Sequence, residues 1–240
     1  SGWELEGISL QDFAATLLDG QNLLPVGGFG TLLARLAEGL PIAFGAKVER
    51  LAWGGARAVA EGAFGTLRAR AVVCTLPTTL LAAGDALRFD PALPAEVVDA
   101  AAGLPMGAVL KVGFRAAGED RLDLPAFCSV DRRIEPGEAM VTMTAWQHGL
   151  PLLTCWLGGA AAAALEREGD AAAEAFMREE LIRRFGGRAR AALAPGAVVS
   201  DWLRDPLARG VYTHARVGHA GARAVLAAPL AEGRLSLAGE

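Results

Sequence analysis

A lysine within an apolar stretch is the first candidate for chemistry in this sequence. Only two of the 23 lysines and arginines are lysines, and one of them, Lys111, lies in GLPMGAVLKVGF, residues 103–114. The alternation predicts a strand whose buried face is formed by Ala108, Leu110, Val112 and Phe114. Lys111 then points to the other face. Because burying an ammonium group costs several kcal/mol, such a lysine usually lies near a cavity or a carboxylate. A stem packed on the sheet with its head in solvent is the alternative.

Two aromatic residues form the second candidate site. The segment DWLRDPLARGVYTHARVGH, residues 201–219, contains Trp202 and the only tyrosine, Tyr212, separated by a proline and a glycine. We expect them on a strand end and in a loop, from which both side chains could converge on one site. Ordinary core packing is the alternative, since most aromatic residues serve packing.

The spacing of the histidines and cysteines does not indicate a metal site or a disulfide framework. His214 and His219 are awkwardly spaced for one helical face, so no metal site is expected. Cys74, Cys128 and Cys155 form no CxxC pair, which indicates neither a zinc site nor a disulfide framework. A reducing, cytoplasmic setting is therefore expected.

The usual nucleotide and hydrolase motifs are also missing from the sequence. The segment GGFGTL, residues 27–32, lacks the final glycine of GxGxxG and follows no convincing strand, so it predicts a turn. No Walker, HExxH or GxSxG motif occurs.

Composition and charge set limits on the partners. The chain has 240 residues, of which 52% are apolar, but charged residues interrupt every stretch of about 18 residues that could cross a bilayer. The net charge of −4 provides no electrostatic basis for binding nucleic acid. We therefore expect neither a membrane nor a nucleic acid as a partner.

The elements that position these residues alternate without a regular βαβ period, which predicts a mixed α+β or α/β architecture. Helices are predicted at 9–18 with Ser9 as the N-cap, at 31–40, within 91–105, and at 170–186 with Asp170 as the N-cap. Besides the lysine strand, strands are predicted at 46–55, 56–62, 65–77, 140–146, 152–159 and 197–203. The first three predict a β-meander whose last strand ends in the apolar core segment AVVCTL.

Taken in order, several segments resemble the flavin-dependent amine oxidase family, which includes monoamine oxidases, polyamine oxidases and histone-lysine demethylases of that fold. The segments are PVGGFGTLLARLA, KVERL, VVCTLPTTLL, FDPALP, LPMGAVLKV, DWLRDPLARGVYTHARVG and LSLAGE. Each is a weak signal alone, but their order and spacing match the family along nearly the whole chain.

The resemblance implies an amine as the small-molecule substrate, FAD as the cofactor, and three catalytic candidates. Lys111 matches the family lysine that holds a water against flavin N5, where a cation suits the reduction of oxygen. Tyr212 matches an aromatic wall of the substrate site, and Trp202 a tryptophan near the isoalloxazine. The cofactor-binding positions implied in the same way are Val48 for adenine, Thr75, Leu76 and Pro77 for the cofactor channel, and Gly239 and Glu240 for the ribityl and diphosphate groups.

The resemblance also implies a domain organisation. Residues 26–100 and 205–240 would form an incomplete FAD-binding domain, consisting of the β-meander and the apolar core strand. Residues 1–25 and 101–204 would form an interleaved substrate-binding domain of mixed sheet and helices.

Two parts of the family pattern have no counterpart in this sequence. They are the GxGxxG-bearing βαβ unit before the first match and the helix after AGE. We therefore expect a fragment of an FAD-dependent amine oxidase that is inactive as an isolated chain, with a missing N-terminal segment or a second copy of the chain as its partner. The alternatives are a related flavoprotein oxidase or desaturase, and a non-catalytic interaction module that keeps the amine-oxidase fold.

Overall fold

The computed structural model describes residues 2–17, 20–21, 23–135 and 137–239, and the chain divides into two compact units. Unit 1 consists of Ser1–Ile8 and Pro105–Arg216, and unit 2 of Ser9–Leu104 and Val217–Glu240. The unit boundaries differ from the expected domain boundaries, while the function of each domain stays a prediction: the described residues of 9–25 group with the segment that follows them, and residues 101–104 with the segment before them. Residues 205–216 likewise belong with the segment before them, where Arg216 pairs with Ile8 in an antiparallel bridge.

The helices and strands of the described residues are as follows. The helices are α1 (Leu10–Thr16), α2 (Phe29–Leu36), α3 (Thr78–Ala83), α4 (Ala95–Ala102), α5 (Gly159–Glu168), α6 (Asp170–Phe185), α7 (Arg188–Ala192) and α8 (Ala222–Ala227). The strands are β1 (Arg50–Ala52), β2 (Ala58–Gly62), β3 (Gly65–Ala69), β4 (Val72–Cys74), β5 (Arg88–Asp90), β6 (Met106–Gly107), β7 (Val109–Arg115), β8 (Cys128–Val130), β9 (Thr142–Ala145), β10 (Leu152–Gly158), β11 (Val198–Val199), β12 (Val211–Thr213) and β13 (Leu235–Leu237).

Unit 1 is built on a five-stranded antiparallel sheet in the order β11-β7-β10-β9-β8. The predicted lysine strand is confirmed as β7, and Leu110, Val112 and Phe114 on its predicted apolar face are fully buried. Helices α5 and α6 contact β7, and α6 also packs against α7. The sheet therefore has one face buried against a helical layer.

The core of unit 1 forms where alternate residues of neighbouring strands meet that layer. Leu153, Cys155 and Leu157 of β10 are at most 1% exposed, as are Met177 and Leu181 of α6. Full burial of a leucine or methionine side chain contributes roughly 1.5–3 kcal/mol, so these contacts fix the sheet against the helices.

The start of α6 differs from the prediction. Asp170 is the first helical residue, and Gly169, with φ of 100°, occupies the N-cap position without a side-chain cap. The carboxylate of Asp170 instead accepts a hydrogen bond from the Arg204 guanidinium at 2.8 Å. The prediction of Asp170 as the N-cap was therefore wrong because a tertiary ion pair takes up this side chain.

Unit 2 contains a four-stranded sheet in the order β3-β2-β1-β5, in which β1, β2 and β3 form the predicted antiparallel meander and β5 is parallel to β1. The strand predicted at 65–77 is in fact two strands. Its first half is β3 of this sheet, and its second half, β4, pairs in parallel with β13. Only part of the expected core strand is buried, because Cys74 is 7% exposed and Val73 is 63% exposed.

The helices of unit 2 differ in how closely they pack against other elements. Helix α4 packs against α3 and α8, beside a core that includes Leu51, Trp53 and Leu235. Helix α1 begins as predicted after Ser9, whose Oγ accepts the Asp12 N–H at 3.3 Å. Helix α2 begins at Phe29, earlier than predicted, and buries none of its residues. Many apolar side chains between residues 10 and 44 are exposed.

No helix within the described ranges has both the length and the apolar character needed to cross a membrane.

Candidate functional site

Lys111 lies on the open face of the unit 1 sheet. It is exposed in the middle of β7, on the face opposite the buried Leu110 and Val112. No carboxylate of the described residues forms an ion pair with it. The exposure of Lys111 agrees with a head group in solvent, and its role beside a cofactor stays a prediction.

The neighbours of Lys111 on that face come from the antiparallel register. Trp156 of β10 is paired directly with Lys111, and Trp156 is also paired with Thr142 of β9. Directly paired residues have Cβ atoms about 4.5–5.5 Å apart, so the three side chains form one row across three strands. Trp156 is half-buried and Thr142 is buried. The row therefore presents a cation beside an indole ring and a hydroxyl group.

Trp202 lies in the turn that leaves the strand beside Lys111. The backbone N–H of Lys111 donates to Ser200 Oγ at 2.9 Å, and the Ser200 N–H donates to the Lys111 carbonyl at 2.9 Å. Trp202 follows shortly after Ser200 and is 45% exposed. The segment that carries this predicted site residue is thus tied to the backbone of Lys111 itself.

Tyr212 lies in β12, which pairs with β6 just before the lysine strand. The register shifts between Val211 and Thr213, and Tyr212, at this irregularity, has φ of 48° and is 60% exposed. A positive φ at a residue other than glycine costs of order 1–3 kcal/mol. Eight other described non-glycine residues also have a positive φ, so this backbone conformation does not by itself mark Tyr212 as a site residue.

The glycine before β12 allows this strand to lie close to β6. Gly210 has φ of 136°, and a Cβ added to it would lie 2.6 Å from Met106 Cβ. Any larger side chain would push β12 away from β6. The structure therefore needs glycine here to hold Tyr212 beside the strand that leads to Lys111.

The structure thus places Lys111, Trp202 and Tyr212 on neighbouring segments of unit 1. Within the described part of the chain, these three side chains form no hydrogen bond or ring contact with one another. Trp156 and Thr142 were missed by the sequence analysis, although the alternation of LLTCWLGG already puts Trp156 opposite to the buried Leu153, Cys155 and Leu157. Only the strand register reveals that it faces Lys111.

The predicted cofactor residues of unit 2 collect at the carboxyl ends of two parallel strands. Thr75, Leu76 and Pro77 follow β4, and Gly239 follows β13. The two strands continue to pair beyond their ends, because the Ala238 N–H donates to the Cys74 carbonyl at 3.0 Å. Ligands of open parallel sheets bind beyond the carboxyl ends of the strands.

Gly239 lies directly against Thr75. Its φ is 113°, and a Cβ added there would lie 3.6 Å from Thr75 Cβ. The backbone can adopt this conformation without strain only as glycine. The predicted contact residue Glu240 lies outside the described residues.

A cavity of about 230 Å³ opens beside these strand ends. Its walls are mostly apolar and include Leu76, Leu81, Leu104, Leu226 and Leu237. Arg223 adds a cation, which binds the buried carboxylate of Asp12 with Nε to Oδ1 at 2.8 Å. An apolar cavity with few convergent polar groups is the usual form of a small-molecule site.

Val48 lies apart from these residues, just before β1 in the other sheet of unit 2. It is half-buried, and no described residue forms a hydrogen bond with its backbone. Its neighbour Glu49 is held on both sides, since its N–H donates to the Glu61 carbonyl at 2.8 Å and its carbonyl accepts from the Arg88 N–H at 3.0 Å. The backbone groups of Val48 are therefore held in a fixed place and remain available to a ligand.

Comparison with known proteins identifies the family of the chain. The chain matches the family of flavin containing amine oxidoreductases over residues 4–240, and it belongs to that family. The resemblance inferred from the ordered segments is thereby confirmed.

Two plant proteins are among its relatives. The chain is 28% identical over 236 residues to the lysine-specific histone demethylase 1 homolog 2 of Arabidopsis thaliana, covering 93% of this chain and 30% of that protein. It is 26% identical over 209 residues to the lysine-specific histone demethylase 1 homolog 1 of Oryza sativa subsp. japonica, covering 85% of this chain and 24% of that protein. The chain thus spans less than a third of the curated relatives that it matches.

Solved structures with the same fold include two amine oxidases. Cyclohexylamine oxidase from Brevibacterium oxydans IH-35A aligns with a TM-score of 0.67 at 22% identity, over 88% of this chain and 47% of that chain. A putrescine oxidase variant from a redesign of cofactor binding aligns with a TM-score of 0.71 at 19% identity, over 89% of this chain and 47% of that chain. These similarities confirm the predicted mixed α and β fold.

Proposed function

We propose that this chain provides the substrate-binding part and a portion of the cofactor-binding part of an FAD-dependent amine oxidase. Unit 1 is assigned to the amine and unit 2 to FAD. The observation that carries the proposal is the row formed by Lys111, Trp156 and Thr142 on the face of the sheet opposite the one that packs against the helices. Membership of the flavin containing amine oxidoreductase family supports it.

The residues of unit 2 fit an extended dinucleotide. The parallel strands β4 and β13 lead into Thr75 and Gly239, and the adjoining cavity is largely apolar. Thr75, Leu76 and Pro77 would line the cofactor channel, Gly239 and Glu240 would lie along its ribityl and diphosphate stretch, and the free backbone of Val48 would bind the adenine edge.

A bound FAD would supply the oxidant by accepting, as hydride, the hydrogen and electron pair of the broken α C–H bond of the amine, and the reduced cofactor would pass two electrons to dioxygen, which takes up two protons to give hydrogen peroxide. The amine becomes an imine, which water hydrolyses to a carbonyl compound and an amine or ammonia. No residue of the chain needs to act as a general base if the amine arrives neutral, so the chain contributes orientation and charge.

Each candidate residue has a distinct role in this scheme. Lys111 fixes a positive charge where negative charge develops on oxygen as it is reduced. Tyr212 and Trp202 present exposed aromatic faces that orient the amine and exclude water from it. Trp156, next to Lys111, bounds the space left for the substrate.

A methylated lysine side chain is the second candidate substrate. The observation that favours it is that the plant relatives carry the name of lysine-specific histone demethylases. Oxidation of an N-methyl carbon follows the same electron balance and releases formaldehyde after hydrolysis. A small free amine and a methylated lysine differ in size and charge, so a panel containing both separates the two substrate classes.

The first experiment is the visible absorption spectrum of the purified chain, alone and with added FAD, after desalting and with the intact mass recorded. A retained flavin band supports the cofactor assignment to unit 2. The second is peroxide formation by the whole protein with FAD on a panel of amines and methylated lysine peptides. A folded, flavin-loaded protein that produces no peroxide or formaldehyde from any of them contradicts the proposal, and leaves a related flavoprotein reaction or a non-catalytic module.

A further inference from the structure

Glu166 of α5 is a buried acid that binds the turn carrying Trp202. Only 2% of its surface is exposed. Its Oε1 accepts the backbone N–H of Leu203 at 2.7 Å and that of Arg204 at 3.3 Å. These two residues directly follow Trp202, and they lie far from Glu166 in the sequence. The carboxyl group therefore makes a tertiary contact with the backbone of a predicted site segment.

The rest of this turn is held mostly by its own residues. The Gly210 N–H donates to the Trp202 carbonyl at 2.9 Å, and the Asp205 N–H donates to the Asp201 carbonyl at 3.0 Å. The turn is thus a closed unit from Trp202 to Gly210, and Tyr212 follows at its end. Fixing the backbone after Trp202 consequently fixes the start of the segment that leads to Tyr212.

Among the polar contacts of the described residues, Arg204 and Glu166 each join the turn to the helical layer, and the two contacts differ in strength. Arg204 binds Asp170 at 2.8 Å, but both side chains are largely exposed, so water and salt screen this ion pair and it contributes little to stability. Glu166 is buried, and a buried acceptor that loses its two donors leaves groups that water cannot easily satisfy. Glu166 is therefore the stronger attachment.

The environment of Glu166 also favours its neutral form. Burial raises the pKa of its carboxyl group, and Asp201 acts in the same direction, while the Leu203 and Arg204 amides and the Arg204 charge lower it. Its second oxygen, Oε2, is buried and has no hydrogen-bond partner among the described residues. A neutral acid still accepts both amides through Oε1, and so does the carboxamide of a glutamine.

We infer that Glu166 is a positioning residue for Trp202: it fixes the backbone that follows Trp202 and the turn that runs on to Tyr212. The effect on turnover rests on the proposed function. The effect on the turn does not, because it follows from the contacts of unit 1 alone.

The test compares Glu166→Met with Glu166→Gln. The two replacements have similar volumes, but only glutamine offers an acceptor to the Leu203 and Arg204 amides. Hydrogen–deuterium exchange is measured by mass spectrometry on peptides covering residues 201–210. We expect exchange to rise roughly tenfold in Glu166→Met, which corresponds to the loss of about one net hydrogen bond, and to stay near the wild-type rate in Glu166→Gln.

Glu180→Gln is the matched control, because Glu180 is the other buried glutamate of the helical layer and is bound to Arg132 and Arg183. This variant should leave exchange in residues 201–210 unchanged. If Glu166→Met does not fold, Glu166→Ala is the second variant, since it leaves room for water at the two amides. Unchanged exchange in a folded Glu166→Met or Glu166→Ala overturns the inference, as does an equal rise in Glu180→Gln.

The whole protein provides the functional readout. If it oxidises amines, Glu166→Met should lower kcat/KM about tenfold at an unchanged flavin content, with recovery in Glu166→Gln. Faster exchange in residues 201–210 without any kinetic change overturns the positioning of Trp202 for catalysis. If no variant and no wild-type sample oxidises an amine, the proposed function fails, and the exchange data still decide whether Glu166 holds the turn.

Discussion

Trp156 is paired with Lys111 across β10 and β7, and with Thr142 across β10 and β9. The indole ring therefore lies between the lysine and the next polar side chain on the open face of the sheet. Its partial burial contrasts with the complete burial of Cys155 next to it, which points to the helical layer. This row is where unit 1 offers charge, an aromatic surface and a hydroxyl group side by side.

Lys111→Met should abolish most amine-dependent peroxide formation in the whole protein while the fold and the flavin content remain normal. Methionine keeps the apolar stem on β7 and removes only the charge. Losing one preorganised electrostatic group at a reacting centre typically costs about 10²-fold in rate. The measurement is steady-state peroxide production, with flavin absorbance recorded on the same sample.

Arg115→Met is the control for this charge. Arg115 is exposed on the same strand and the same face, away from Trp156. It should keep its turnover within a few-fold of the wild type. Equal losses in both variants would show that general charge, rather than the position of Lys111, matters, and full activity in Lys111→Met would remove it from the mechanism.

Under the proposed function, Trp156→Ala should shift the amine preference of the whole protein towards bulkier amines. Removing the indole opens the space beside Lys111, and differences in apolar contact of this kind change discrimination by about 10–200-fold. The measurement is the ratio of kcat/KM for a bulky and a small amine. Leu152→Ala, at the exposed far end of the same strand, should leave the ratio unchanged. A ratio that moves equally in both variants contradicts this role.

The lysine strand and its apolar face could be predicted because the alternation of Leu110, Val112 and Phe114 is local information. The cross-strand partner of Lys111 could not be predicted, because nothing in GLPMGAVLKVGF determines which residue of another strand lies opposite to it. The break between β3 and β4 was missed for a similar reason. No glycine or proline marks it in GTLRARAVVC, and the second half leaves its sheet to pair with the distant β13.

The candidate site shows the same division between local and tertiary information. The aromatic pair Trp202 and Tyr212 was a candidate from its own segment, but the roles of these two residues, and the choice of Thr75 and Gly239, came from resemblance to a family. Glu166 gave no signal, because a glutamate in ALEREGD looks like any solvent-facing helix residue. The inferred role of Glu166 depends on its hydrogen bonds with the Leu203 and Arg204 amides, which are far from it in the sequence and contact it only in the folded chain.

The three cysteines should react with thiol reagents in a fixed order. Cys155 is fully buried, and burial raises the pKa of its thiol to about 12. Burial also raises the pKa of Cys74, whereas Cys128 is half-buried in the edge strand β8. Because the thiolate is the reactive form, Cys128 should be alkylated first and Cys155 only on unfolding.

Peptide mass spectrometry after timed labelling of the chain at about pH 8 measures this order. The denatured chain is the control, in which all three thiols should react at similar rates. Labelling of Cys155 as fast as that of Cys128 in the folded chain would show that the sheet of unit 1 opens readily.

Glu166→Gln should change the dependence of stability on pH. Burial is the main cause that raises the pKa of Glu166 above its ordinary value of 4.5, so the folded state holds this proton more tightly than the unfolded state. The stabilisation from Glu166 is therefore complete below that ordinary value and is lost as the pH rises through the raised pKa. Glutamine does not titrate, and it keeps the acceptor for the Leu203 and Arg204 amides.

The free energy of unfolding, measured with urea at several values between about pH 4 and pH 8, provides the test. The stability of Glu166→Gln relative to the wild type should increase as the pH rises, because only the wild type has to ionise a buried acid. The exposed carboxylates of Asp120, Asp123 and Glu138, whose pKa values are lowered by Arg188 and Arg132, titrate equally in both proteins and cancel in the difference. A difference that stays constant over the whole range would mean that Glu166 ionises as easily in the folded chain as in the unfolded one.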